Sequence, residues 1–374
     1  MRIQPPSFSQ LIQLYYVLII TIAILAGTLP ALRNSILTYG KLDAPANTTS
    51  KPSPSPSFSN GATKDVAQSS RDFVKTLHSF RVPKTWFAHF YVLAPLWMVY
   101  LTVDLRLFTS LESSHWVARC YPYFSLLHLL SFLGIMIPPK VAMAGGWIPP
   151  PEVVLAMSCY FAQVTRRWCE SQFIERPSPK ATLHVGHYII GMTYYSAMAP
   201  TVWVDAYETW AIGRADTPSA LSTTGVVQCL VGLGLFLWGS FHQYNCHVIL
   251  ADLRAPKTAP ANTSSFSAKA TSTEYKVPFG DWFQYMVAPH YSAEMVIYFG
   301  VYLMASARTR APTMLIAWIW VVINLGIVAR ETDQWYRAHF GEQYHKQAVD
   351  PKSGKPAGSS KPLRKRAILV PSIY

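Results

Sequence analysis

The chain has 374 residues, of which 51% are hydrophobic and only 14% charged, against about 25% charged in a typical soluble protein. That deficit excludes a water-soluble globular surface, and the apolar residues gather into long runs of the kind that cross a ~30 Å hydrocarbon core. The formal charge of +13 does not indicate a nucleic-acid partner. Its basic residues sit in short clusters beside apolar runs, such as Arg166-Arg167 and Arg364-Lys365-Arg366, the pattern of cytoplasmic membrane faces.

The pattern predicts an all-α, polytopic membrane bundle of six to eight transmembrane helices. Residues 1–37 carry the first span, an apolar run over 11–32. It is longer than the 7–15-residue core of a signal peptide and no small-residue cleavage site follows it, so it reads as a retained helix. Residues 38–85 include the stretch Lys51-Pro-Ser-Pro-Ser-Pro-Ser-Phe-Ser-Asn60, too polar to offset its ordering entropy, and are expected to form a disordered loop. A transmembrane bundle over 86–244 holds spans at 86–108, 123–138, 153–164 with flanks, 183–204 and 223–244. Arg166-Arg167 is expected to end the third of these. Asp104 is an intramembrane acid beside Arg106, readable as a functional group or as half of an interfacial ion pair. The C-terminal region, 245–374, holds two further spans, 290–307 and 312–328, and a basic tail. Cys120, Cys159, Cys169, Cys229 and Cys246 have no CxxC spacing and read as small apolar packers rather than a disulfide or zinc framework. His184-x-x-His187 has no further histidine cluster beside it, so no metal is expected.

Most of the unusual polar chemistry lies after residue 240. At Phe241-His242-Gln243-Tyr244-Asn245-Cys246-His247-Val248-Ile249-Leu250-Ala251-Asp252-Leu253-Arg254, His247 and Arg254 share a face if the helix continues. An Arg there suits a phosphate, because its planar fork matches the oxygens; a snorkelling Arg beside an interfacial His fits equally. Tyr275-Lys276-Val277-Pro278-Phe279-Gly280-Asp281-Trp282-Phe283 is short, aromatic and broken by Pro and Gly, as an interfacial segment is. His290 and Glu294 follow at the head of a span, four residues apart and therefore on one face. A carboxylate inside an apolar helix costs several kcal/mol unless paired or protonated, so this pair reads as a site. The tail carries Trp335-Tyr336, Phe340-Gly341-Glu342-Gln343-Tyr344 and a basic run before the terminal Pro371-Ser372-Ile373-Tyr374.

The ordered strings HQYNCHVILADLR, YKVPFGDWFQYMVAPHYSAE, WYRAHFGEQY and the basic run before PSIY resemble the steroid 5-alpha-reductase family, and within it the polyprenol reductase branch. The resemblance is strong over 240–374, with a weaker echo at Gln163-Val164-Thr165-Arg166-Arg167. It implies NADPH, held within a helical bundle open to the cytosol, reducing a carbon–carbon double bond conjugated to a carbonyl. By position it implies that His247, Arg254, Tyr275, Tyr336 and Arg366 bind the cofactor, with His290 and Glu294 at its reacting end. One departure stands out: the family commonly has a His shortly before its aromatic-Tyr pair, where this chain has Glu331-Thr332-Asp333-Gln334. No Gly-rich dinucleotide loop is present, so the site the resemblance implies is not a Rossmann one. The implied substrate is a long-chain polyprenoid in the endoplasmic reticulum membrane, saturated at its first isoprene unit in dolichol biosynthesis, which supports protein N-glycosylation. An isolated allylic alcohol lacks an electron sink, so the aldehyde is favoured over the alcohol. Two alternatives remain at this level: an isoprenylcysteine-type methyltransferase, whose tail resembles Phe340–Tyr344, and a non-catalytic transporter or scaffold.

Overall fold

The computed structural model describes residues 6–29, 80–110, 125–135, 147–176, 181–212, 220–254, 276–342, 344, 348–349 and 366–369. The Ser/Pro-rich loop as far as residue 79, Cys120, Tyr275, Arg364 and Lys365 lie outside the described residues.

Nine helices are described: α1 (Phe8–Thr28), α2 (Phe87–Ser110), α3 (Leu126–Phe132), α4 (Pro151–Phe173), α5 (Val185–Thr201), α6 (Val204–Ala211), α7 (Thr223–Asp252), α8 (Pro289–Ala305) and α9 (Pro312–Phe340). Two short strand pairs join them, β1 (Arg81–Pro83) antiparallel to β2 (Thr182–His184), and β3 (Val277–Pro278) parallel to β4 (Ala348–Val349). Helix α1 starts three residues before its apolar run because Ser7 and Gln10 form a reciprocal capping box, side chain to backbone in both directions. Proline opens α4, α8 and α9, where its missing N–H leaves no bond unmade.

Four segments are long and apolar enough to cross a membrane: Phe8–Thr28, Lys84–Thr109, Thr223–Asp252 and Pro312–Phe340. The protein is therefore a mostly helical membrane protein. Helices α5 and α8, at 17 residues each, rise only about 26 Å, short of the ~30 Å core. Helix α4 is 23 residues long but runs straight through Arg166-Arg167 to Phe173, so the basic pair does not end it. Between 123 and 138, only the seven-residue α3 is described. Asp104 makes buried contacts across to the next helix. It is 2% exposed, accepts bonds from Ser125 Oγ at 2.6 Å and Leu127 N at 3.1 Å, and so caps the start of α3.

The tightest packing is α7 against α8, and its cause is a glycine every seventh residue. Gly225, Gly232 and Gly239 recur at two-turn spacing, on one face of α7. A Cβ on Gly232 would stand 2.7 Å from Gly300 O, and one on Gly239 would stand 2.9 Å from Ala293 O. The backbones approach as closely as small-residue membrane interfaces allow. Around this pair, α4 packs on α2 and α8, and α9 packs on α1 and α8. Gly239→Val is expected to force α7 and α8 apart, costing about 1–3 kcal/mol and lowering the melting temperature of purified protein. Gly234→Ala, at a position with nothing within 4 Å, is expected to leave stability unchanged or raise it.

Candidate active site

The close α7–α8 contact brings polar residues of three helices together inside an apolar bundle. Helix α4 contributes Gln163, Arg166, Arg167 and Glu170, at helical spacing that puts all four toward α7. Helix α7 contributes Gln243 and His247, one turn apart, and α8 contributes His290 and Glu294. Gln243, fully buried, is the junction. Its Oε1 accepts from Gln163 Nε2 at 3.0 Å and from Arg166, while its Nε2 donates to Glu294 Oε2 at 3.1 Å and to His290 O at 3.4 Å. Arg166 also reaches back to Gln163 Oε1 at 2.7 Å and pairs with Glu170.

One turn toward the end of α4, Arg167 is 7% exposed and pairs with both Glu170 and Glu175, the latter at 2.7 Å. It donates to Tyr91 Oη at 3.1 Å, with its guanidinium 5.0 Å above the Tyr91 ring. His247 Nδ1 lies 2.7 Å from Glu170 Oε2 and 2.7 Å from Arg167. Nδ1 therefore faces both a donor-only guanidinium and a carboxylate acceptor: it accepts from Arg167 in one tautomer and donates to Glu170 in the other. Burial works to raise the Glu175 pKa, but Arg167 and then His247 outweigh it and hold this carboxyl below its usual range. The ring of His290 lies 5.7 Å from that of His247, and its Nδ1 is buried without a hydrogen-bond partner.

A second patch surrounds the approach to α8. Residues 366–369 lie alongside 285–288: Ala367 N donates to Tyr285 O and Val287 N to Ala367 O, both at 2.9 Å, and Ser292 Oγ donates to Leu369 O at 2.7 Å. The tail is thereby fixed beside the segment that leads into His290. Arg366 is 6% exposed and donates Nη1 to Pro278 O at 2.9 Å, while its Nε and Nη2 have no partner. Burial lowers its pKa, opposed by the Tyr344 and Tyr336 phenols nearby. Tyr336 stacks on Tyr344 at 5.3 Å and 21°. Tyr344 Oη donates to Asp333 Oδ1 at 2.7 Å, and Arg337 Nε donates to the other oxygen at 2.7 Å. Where the family commonly has a His before its aromatic-Tyr pair, this chain thus uses Asp333 to hold Tyr344 beneath Tyr336.

His247, His290 and Glu294 therefore share one centre, and Tyr336 and Arg366 share the adjoining patch. Arg254 does not continue the helical face of His247. Helix α7 stops at Asp252, and Arg254, exposed, donates to Arg176 O at 3.3 Å. Tyr275 lies outside the described residues. Sequence reasoning missed five members of the network, Gln163, Arg166, Arg167, Glu170 and Gln243. The stripe Gln163, Arg167, Glu170 was the available signal, obscured because Arg166-Arg167 reads as a charge cluster at a membrane face.

It also missed Tyr160. One turn before Gln163 on α4, this residue has no solvent exposure, and its hydroxyl has no partner. Its ring lies 6.3 Å from that of Tyr298, which stands one turn beyond Glu294 on α8. Charged groups thus occupy the outer turns of α4, α7 and α8, and phenols the next turn inward. The Arg366 Nε and Nη2, the His290 Nδ1 and the Tyr160 hydroxyl are buried polar atoms with bonds left to make.

A family profile described as 3-oxo-5-alpha-steroid 4-dehydrogenase matches residues 189–349. Polyprenal reductase 1 of Oryza sativa subsp. indica is 29% identical over 314 residues, covering 77% of this chain and 80% of that protein. Polyprenal reductase 2 of Arabidopsis thaliana is 30% identical over 71% of this chain and 81% of its own length, and polyprenal reductase of Xenopus laevis 31% over 60% and 63%. The similarity reaches well upstream of residue 240.

Gln243→Leu removes the junction and leaves Gln163, Arg166 and Glu294 with unmet bonds. Stranding a buried charge costs about 3–5 kcal/mol, so thermal melting of purified protein is expected to shift down sharply. A shift no larger than that of an exposed substitution on α7 contradicts this role.

Proposed function

Because this chain belongs to the steroid 5-alpha-reductase (3-oxo-5-alpha-steroid 4-dehydrogenase) family, we propose that it reduces a polyprenal at its first isoprene unit, using NADPH. It is an oxidoreductase acting on a carbon–carbon double bond, and the methyltransferase and transporter alternatives fall with that assignment. The product is the saturated aldehyde on the route to dolichol, and the site of action is the endoplasmic reticulum membrane. In this reading α4, α5 and α8, packed among the four long segments, complete a bundle of six to eight crossings.

The observation that carries the cofactor is the Arg366 guanidinium, buried with Nε and Nη2 unpartnered. An unpaired buried cation is costly, and a phosphate supplies what it lacks. Arg254, Tyr275, Tyr336 and His247 complete the binding set by their match to the family pattern. When bound, NADPH supplies a hydride. His290 and Glu294 orient the reacting end. Glu294 is held by the Gln243 amide, and the unpartnered Nδ1 of His290 is free to bond to a ligand.

The substrate chemistry follows from conjugation. As the beta carbon accepts the hydride, negative charge moves to the aldehyde oxygen, which needs a donor in place beforehand. A proton, ultimately from solvent, then adds at the alpha carbon to give the saturated aldehyde. Tyr160 fills the donor role: it is a neutral O–H donor, buried and unpartnered, on the inner side of the charged turns. The surrounding aromatic wall of Tyr16, Tyr194, Tyr195 and Tyr298 keeps water from competing. Purified protein given NADPH and a short polyprenal is expected to yield an aldehyde two mass units heavier. Methyl transfer from S-adenosylmethionine, with no such gain, overturns the reading.

Tyr160→Phe separates chemistry from folding. Deleting an unpartnered buried hydroxyl is expected to leave thermal stability equal or higher. Losing the donor to the developing oxyanion is expected to lower turnover by about 10²–10³-fold. Unchanged turnover, or a loss of stability that tracks the loss of activity, removes Tyr160 from this role.

A further inference from the structure

Two adjacent residues of α7 reach in different directions. Gln243 bonds inward, to Glu294 and Arg166, while His242 meets the loop that leads into α8. His242 Nδ1 lies 2.7 Å from Asp281 Oδ1, with the two side chains 19% and 12% exposed. Trp282 stacks on the His242 ring at 4.3 Å and 23°, and Trp238, one turn earlier on α7, meets Trp282 edge-on at 4.9 Å. The reduction proposed above gives this pair no task.

Asp281 carries two local costs. Its φ is 43°, the one positive φ at a non-glycine among the described residues, and it follows Gly280 at 107°. Its second oxygen, Oδ2, is buried with no hydrogen-bond partner, and a buried acceptor without a donor is destabilising. Glycine would take up this backbone freely and bring no carboxylate. A strained residue persists where its surroundings hold it, and such residues gather at functional sites.

The loop around Asp281 supports both halves of the site. In sequence, Asp281 lies between two residues whose carbonyls receive the tail: Pro278 O accepts from Arg366 Nη1 and Tyr285 O from Ala367 N, both at 2.9 Å. Within the loop, Phe283 N donates to Gly280 O at 3.0 Å and Met286 N to Trp282 O at 2.9 Å. Phe283 is 1% exposed, and its ring lies 6.2 Å from that of His290. The loop is fastened to α7 at His242, five residues before His247. This clasp therefore governs how Arg366 and Phe283 stand relative to the helix that carries His247.

We propose that His242 and Asp281 are positioning residues: their bond fixes the 278–285 loop on α7 and so aims the idle Nε and Nη2 of Arg366 at a cofactor phosphate. This role rests on the reading that Arg366 takes a phosphate of NADPH. In it neither residue touches cofactor or lipid. A hydrogen bond weakens steeply as its donor turns away, so a loosened loop lowers affinity for the cofactor and not for the aldehyde.

The test uses the full chain in phosphatidylcholine nanodiscs. It reads NADPH affinity from the fluorescence of the bound cofactor, the melting temperature, and amide hydrogen exchange across 278–288 without cofactor. Asp281→Gly suits the backbone, deletes the idle oxygen and opens the clasp. Its melting temperature is expected to hold or rise, while NADPH affinity falls about tenfold, the effect of one lost hydrogen bond. The KM for geranylgeranial is expected to stay within about twofold, which separates cofactor positioning from general damage. Asp281→Asn tolerates the same φ and keeps an acceptor for His242, so it is expected to retain most of the affinity.

His242→Phe keeps a ring on Trp282, loses the donor and leaves the loop sequence intact. It is expected to match the affinity loss of Asp281→Gly and to quicken exchange across 278–288, which glycine's own freedom then cannot explain. Combining the two changes is expected to cost little further affinity. A melting temperature that falls along with affinity in Asp281→Gly overturns the positioning role, as does an Asp281→Asn variant no better than Asp281→Gly. Wild-type affinity in either folded single variant, Asp281→Gly or His242→Phe, does the same. Quickened exchange in His242→Phe, in a protein that binds no NADPH, supports the clasp and overturns the cofactor reading. Unchanged exchange with intact NADPH binding and reduction overturns the clasp alone.

Discussion

A set of charged and amide side chains is held in an apolar bundle only because α7 and α8 approach to backbone contact. Gly232 against Gly300 and Gly239 against Ala293 bring Gln243 within reach of Glu294 and the His290 carbonyl. A side chain at either glycine would lengthen those bonds past usefulness and leave a carboxylate stranded in low dielectric. Gln243 suits the junction because an amide both accepts and donates, joining the arginine side of α4 to the carboxylate side of α8. Every charged group in the network then has a partner, apart from the atoms that face the proposed ligands.

The tail adds a second constraint. Residues 366–369 are hydrogen-bonded along 285–288, so Arg366 and His290 are positioned by one shared segment. The Tyr336–Tyr344 stack rests on Asp333 beside it. This arrangement couples the buried Arg366 cation to the head of α8 through backbone rather than through long side chains.

Much of this was legible in the sequence, and the rest was hidden for identifiable reasons. The membrane class followed from the charge deficit, and the placement of His290 and Glu294 one turn apart on one helix followed from their four-residue spacing. The strings around 241–254 and 275–294 pointed to the family. The extent of the bundle was harder: α5 and α8 look like spans by composition and are short by length. The Arg166-Arg167 pair was read as the end of a span because a charge pair usually marks a membrane face. Its burial depends on Glu170, Glu175 and His247, the last of which lies on another helix. Tyr160 carried no local signal at all, since a tyrosine in an apolar run becomes informative only when its hydroxyl is seen to lack a partner. Asp104 was readable as a functional acid or as half of an ion pair; its cap on α3 depends on a fold that local sequence does not reveal.

The claim on which the account depends is that hydride reaches the carbon beta to an aldehyde while the aldehyde itself survives. NADPH deuterated at C4, incubated with purified protein and a short polyprenal, tests it directly by locating the label in the product. The account predicts a single deuterium on the beta carbon of a saturated aldehyde. Deuterium on the carbonyl carbon of an unsaturated alcohol would contradict it.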